Sequence, residues 1–155
     1  MALAIARPHW DVTMLDSLAK RCTFVDGAVG ALGLSNARAL WSRAEDAGQL
    51  PQHRQQYDVV VARAVAELRV LAELCLPFAK APRGVWVAAK GPGPDAEVAA
   101  ARGALRTLGG ELVAVVEVAS HSAEGARTAV VVRKHKATPK QYPRKPGTPS
   151  KKPLL

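Results

Sequence analysis

Short, unbroken apolar runs rich in β-branched residues, each followed by apolar residues at helical spacing, restrict the fold of this chain more than any other feature. The clearest run is "YDVVVAR" at 57–63; Leu68, Leu71, Ala72 and Cys75 then repeat at helical spacing, and "VWVAAK" follows at 85–90. A strand buried on both faces reads as a continuous run, whereas a half-exposed strand alternates. Parallel strands also need a long crossover between them, which the intervening helical pattern supplies. The same order begins earlier. Residues 11–15 read as a buried strand, and Leu18, Cys22, Val25, Val29 and Leu32 as a helix with Ser17 as N-cap and Gly33 as its stop. "ARALW" at 37–41 reads as another short strand, and "RAEDAGQLPQHRQQ" as a polar loop holding at most one helical turn. After the Gly-Pro loop at 91–94, Asp95 and Glu97 suit the first turn of a helix that Gly109 and Gly110 end. "ELVAVVEV" and "TAVVVRK" flank the polar turn "ASHSAEGAR" and read as an antiparallel hairpin. The expectation is a doubly wound α/β sheet closed by that hairpin, with its site at the carboxyl ends of the strands.

Composition narrows the function. The chain has 155 residues, 48% of them hydrophobic, enough for one domain with a real core. No apolar run reaches the roughly 18 residues of a membrane span, and "MALAIARPHW" does not read as a secretory signal. Cys22 and Cys75 lack metal-ligand spacing and read as buried, reduced thiols; His9, His53, His121 and His135 are scattered, so no metal site is expected. Charge is uneven. Residues 133–155 carry eight Lys or Arg and no acid, leaving 14 basic residues against 13 acidic ones in the remainder, so the tail supplies nearly all of the +9. A polyanion such as nucleic acid is the expected partner. The Pro-, Gly- and Lys-rich stretch 137–155 is read as an extended or mobile tail on a body spanning 1–136. Trp41 and Trp86 are assigned to the core, and Trp10 to neither core nor site.

Three residues stand at strand tips. Asp16 ends the run "VTML", where an acid accepts hydrogen bonds from both hydroxyls of a ribose in nucleotide-binding α/β domains; capping the next helix is the competing reading. Glu45 in "RAED" follows the strand at 37–41 beside an adenine-sized slot, and Arg63 ends the strand at 57–63. A strand-end ion pair with Glu45 or Asp46 is the competing reading of Arg63, and its position at the mouth favours function.

The strings "AIARPHWDVTMLDSLAKRCTF", "RAED", "YDVVVARAVAEL" and "VWVAAKG", in that order, resemble the 16S ribosomal RNA (guanine N7)-methyltransferase family, also called glucose-inhibited division protein B, and "KATPKQYPRKPGTPSKKPL" resembles the end of many members. The resemblance implies a class I, Rossmann-like S-adenosyl-L-methionine-dependent methyltransferase, and methyl transfer to guanine N7 of 16S ribosomal RNA in the small subunit. It implies that Ala44 and Glu45 contact the adenosyl group, that Asp16 meets the ribose, and that Arg63 lies at the mouth shared by cofactor and substrate. Lys20 and Lys90 match basic positions of the active-site face and are the candidates for phosphate or base contact. Guanine N7 holds a lone pair and no proton, so no general base is needed and Cys22 is not required as a nucleophile; alignment of the reacting groups is the expected source of rate. Lys140, Arg144, Lys145, Lys151 and Lys152 are candidates for RNA phosphates, with Tyr142 as a stacking ring. Arg7, Lys20, Arg21 and Lys90 divide between surface charge and RNA contact. The expected setting is a bacterial cytoplasm, or a plastid stroma, and the expected state a monomer.

The chain departs from that family in having no Gly-rich turn ahead of Asp16, and "GPGP" at 91–94 follows a later strand. The first strand of the family's sheet would lie between those at 12–15 and 58–63. Its absence predicts an N-terminally truncated domain with weakened cofactor binding and poor stability on its own. A non-catalytic RNA-binding or ribosome-associated remnant of the family is the alternative function. A nicotinamide dehydrogenase would also want an acid after the second strand, but needs a glycine fingerprint and leaves the basic tail unexplained.

Overall fold

Helical and extended periods segregate along the chain as the apolar spacing requires. The computed structural model describes residues 1–63, 66–119 and 125–155, and it divides into two compact units, Met1–Ala44 and Glu45–Leu155.

The first unit runs α1 (Ala2–Ala6), β1 (Val12–Asp16), α2 (Ala19–Ala31) and β2 (Ala37–Trp41). β1 and β2 pair in parallel from Val12 opposite Ala37 to Asp16 opposite Trp41. The Asn36 amide ties this unit together: its Nδ2 donates to the carbonyls of Ala4 at 3.0 Å and Trp10 at 2.9 Å. Helix α2 stops where expected, with Gly33 at φ +63, the left-handed conformation glycine adopts without strain.

The second unit contains most of α3 (Ala44–Ala47), then β3 (Val59–Arg63), α4 (Leu68–Cys75), β4 (Val85–Lys90), α5 (Asp95–Leu108), β5 (Gly110–Val118), β6 (Arg127–Lys134) and α6 (Thr148–Lys151). Its sheet has the order β3-β4-β6-β5; β3 and β4 are parallel, and β6 lies antiparallel between β4 and β5. The hairpin expected from the sequence is present, although most of its turn, with His121, lies outside the described residues. Leu68, Leu71 and Leu76 from the α4 region and Leu105 and Leu108 from α5 pack with Trp86, Val130 and Val132 of the sheet as one core. Gly109 ends α5 at φ +79, and a Cβ there would lie 2.3 Å from the Lys136 carbonyl, so the position admits only glycine.

β3 is the terminal strand of the four-stranded sheet, with Val59 and Val61 exposed on it. Both cysteines are free and buried, as their spacing suggested. Trp86 is fully buried; Trp41, assigned to the core, is 67% exposed. It is the last residue of its strand, where the two-stranded sheet runs out and no element of the unit covers the indole.

Residues 137–155, read as an extended or mobile tail, are instead folded into the second unit. Thr138, Pro143 and Pro149 are buried, and Tyr142 and Leu154 pack against the core cluster. Composition misleads here because prolines, Tyr142 and Leu154 cover apolar surface and one of the charged groups, Arg144, is taken up by a buried partner, Glu73.

Candidate functional site

Where β1 turns into α2, Asp16 makes the turn. Its Oδ1 accepts the Leu18 N–H at 2.9 Å, and its Oδ2 lies 3.3 Å from the Arg21 guanidinium. An aspartate that bonds a backbone N–H two residues on satisfies one of the donors a helix start leaves open. The N-cap position falls on Leu18, not on Ser17 as expected, and the Asp16 carboxylate meets the N–H of that residue. The Leu18 N–H, assisted by Arg21 and opposed by burial, holds its carboxyl below the usual carboxylate range, so it is an ionised acceptor at neutral pH. Lys20 is exposed and Arg21 is exposed beside Asp16. Trp41 stands opposite Asp16 in the strand register, and its Nε1 donates to the Ser17 carbonyl at 3.2 Å. An exposed indole and an ionised carboxylate therefore close the same end of two strands. The sequence held one signal for this Trp41 position, its place as the last apolar residue before a polar loop.

In the second unit Glu45 and Lys90 have been drawn into contacts within the protein, and Arg63 has not. The Glu45 Oε1 accepts the Gly147 N–H at 3.0 Å. Arg63 ends β3, exposed, with no ion pair to Glu45 or Asp46 and no other side-chain partner among the described residues. Lys90 ends β4 and donates to Glu97 Oε1 at 2.7 Å and to the Ala66 carbonyl at 3.0 Å. Glu97 Oε1 also takes the Leu68 N–H at 2.6 Å, so one carboxylate in the first turn of α5 binds Lys90 and caps α4. The Lys90 side chain is only 10% exposed, which makes it a latch between strand tip and helix starts before any contact with RNA.

The basic tail divides in the same way. Arg144 forks onto Glu73, with Nη2 to Oε2 at 2.6 Å and Nε to Oε1 at 2.9 Å, and its backbone N–H adds a third bond to Oε1 at 2.8 Å. Glu73 has its side chain 1% exposed, and a carboxylate so buried needs such a partner. Tyr142, proposed to stack on a base, is half-buried against the core. Lys140, Lys145, Lys151 and Lys152 are exposed, and their ammonium groups make no hydrogen bond or ion pair among the described residues. Between α3 and the tail lies an open cleft of about 450 Å³, lined by Glu45, Asp46, Gln49, Arg144 and Lys145 among others.

Residues 1–126 match the family described as rRNA small subunit methyltransferase G. The chain belongs to that family. The ribosomal RNA small subunit methyltransferase G of Halalkalibacterium halodurans is 47% identical over 152 residues, covering 98% of this chain and 63% of the relative. That of Symbiobacterium thermophilum is 48% identical over 153 residues, covering 96% and 62%. The chain thus spans about 63% of the length of these members of the methyltransferase G family. Among solved structures, TrmN from Thermus thermophilus superposes with a TM-score of 0.61 at 20% identity, over 86% of this chain and 39% of that one. Geranyl diphosphate methyltransferase in complex with S-adenosylmethionine gives 0.62 at 12% identity, over 86% and 73%. The fold is that of the class I S-adenosylmethionine-dependent methyltransferases, carried here by a mixed sheet with antiparallel strands.

Proposed function

We propose that this chain carries the cofactor-binding and RNA-contacting part of an enzyme that methylates guanine N7 of 16S ribosomal RNA in the small subunit. The reading rests on 47% identity to a curated small subunit methyltransferase across 98% of the chain. Asp16 fits S-adenosyl-L-methionine: it is ionised, partly exposed, and its Oδ2 is held only by a 3.3 Å contact to an exposed arginine, which a ribose hydroxyl displaces at little cost. Ala44 and Glu45 would meet the adenosyl group through their backbone, since Gly147 already engages one Glu45 oxygen. When bound, the cofactor supplies a methyl group activated by its sulfonium. Guanine N7 carries a lone pair and no proton, so no side chain has to remove one. The work left to the protein is to hold and orient the two partners. Lys20, Lys140, Lys145, Lys151 and Lys152 are free to meet phosphates.

Titration calorimetry with S-adenosylmethionine, followed by transfer of a labelled methyl group to a 16S ribosomal RNA fragment, tests the reading. Micromolar binding and label at guanine N7 are expected; absence of both refutes it. The engagement of Glu45 and Lys90 in protein contacts favours a second reading, a non-catalytic RNA-binding, ribosome-associated member, for which RNA binds and the cofactor does not. No helix among the described residues is long and apolar enough to cross a membrane. A monomer acting on ribosomal RNA in a bacterial cytoplasm or a plastid stroma accords with both readings.

A further inference from the structure

Three polar side chains of residues 45–54 reach the C-terminal strap, and all of them bond to its backbone. Arg54 spreads one guanidinium over four carbonyls: Nη1 donates to Gly48 at 2.9 Å and Tyr142 at 2.7 Å, and Nη2 to Thr138 at 2.8 Å and Pro139 at 3.1 Å. Gln49 Nε2 donates to the carbonyls of Pro143 at 2.8 Å and Lys140 at 3.2 Å, and Glu45 takes the Gly147 N–H. The strap itself is fixed to the core from the other side. Arg144 is clamped by buried Glu73 of α4, and Thr138 donates to the Leu108 carbonyl at the end of α5 at 2.9 Å. Apart from these bonds, segment 45–54 is held by buried Ala47 and Gly48 and by the hydrogen bond between His53 Nδ1 and the Tyr57 hydroxyl at 2.9 Å. Its one helix, α3, spans four residues, and Gln49, Leu50, Pro51 and Gln52 are exposed. Helices this short do not persist on their own hydrogen bonds.

We propose that the strap, gripped by Gln49 and Arg54, is a brace that positions the segment after β2 for the adenosyl group, making Gln49 and Arg54 positioning residues. The cofactor half of this inference rests on the methyltransferase reading above. A segment competent only when braced binds its ligand in proportion to its braced fraction. Contacts to backbone carbonyls also make the brace insensitive to the strap's side-chain identity at those positions, whereas the donors on 45–54 matter.

Gln49→Ala removes two of these bonds from an exposed position. Arg54→Lys keeps the charge but loses the planar fork that spans four carbonyls. In the full chain, hydrogen exchange of the Gln49 and Leu50 amides is expected to quicken about tenfold in either variant, while α4 and β4 amides keep their rates. The Kd for S-adenosylmethionine is expected to rise about tenfold, with affinity for a 16S ribosomal RNA fragment changed less than twofold. Unchanged exchange at 49–50, or acceleration throughout the unit, overturns the brace. Lost RNA affinity with an unchanged cofactor Kd overturns the positioning role and makes the strap an RNA-binding element. If the unaltered chain binds no S-adenosylmethionine, the methyltransferase reading fails by itself, and the positioning role fails with it, while the exchange rates still decide the brace.

Discussion

Asp16 has one carboxylate oxygen committed to the Leu18 N–H and the other in a long contact with Arg21. Asp16→Asn keeps an acceptor for Leu18, whereas Asp16→Ala leaves that N–H without one. The alanine variant is expected to lose about 1 kcal/mol in denaturant melts and the asparagine variant a few tenths. If the carboxylate meets a ribose, both variants weaken S-adenosylmethionine binding, so calorimetry on Asp16→Asn isolates the cofactor role from the cap. Lys134 carries a second residue-level prediction. It is fully buried, and it donates to the Leu108 carbonyl and to Thr138. Burial first, and the nearby Arg54 guanidinium second, push its ammonium down to about 7. The folded state then binds fewer protons than the unfolded state between about pH 7 and the ordinary lysine range. Stability should therefore rise with pH across that window, by at most about 1.4 kcal/mol per unit, and level off below it. Lys134→Met, which keeps the chain length without the charge, should remove that rise in unfolding free energy measured from pH 7 to 9.

The strap is the element whose two jobs need separating. Deleting residues 137–155 would strip Glu73 of Arg144 and uncover the core beneath Tyr142 and Leu154. A loss of RNA affinity on deletion would then report unfolding as much as lost charge. Changing Lys140, Lys145, Lys151 and Lys152 together to Gln spares those contacts. It is expected to leave the melting temperature within a few degrees while lowering the slope of log K against log salt by up to about 3 for single-stranded RNA. An unchanged slope would remove the tail from the RNA interface. Arg144→Ala should do the converse. It strands a buried carboxylate at a cost of about 3–5 kcal/mol, visible in urea melts. Basic composition marked 137–155 correctly as charged, but not which charges are spent internally. A bidentate pair between residues 71 positions apart leaves no local sequence pattern.

Across the whole molecule, stability is distributed unequally. The first unit has 44 residues, a two-stranded sheet, and Ala4 and Cys22 as its buried apolar side chains, below the size at which a domain holds itself together comfortably. Amides of β1 and β2 are expected to exchange far faster than those of β4 and β6, which carry the buried core residues Trp86, Val130 and Val132. β3 ends its sheet with Val59 and Val61 exposed, a terminal strand of the kind that invites strand addition, and Val61→Lys should reduce concentration-dependent light scattering. Strand and helix periods, glycine stops, the hairpin and the strand-tip positions of Asp16 and Arg63 were legible in the sequence, because each depends on residues close together along the chain. What only the tertiary structure decided is which of those groups remain available. The carboxylates of Glu45, Glu73 and Glu97 and the cations of Lys90 and Arg144 are satisfied by partners brought in from distant segments or neighbouring elements, and a buried charge must find its counterpart wherever the packing supplies one.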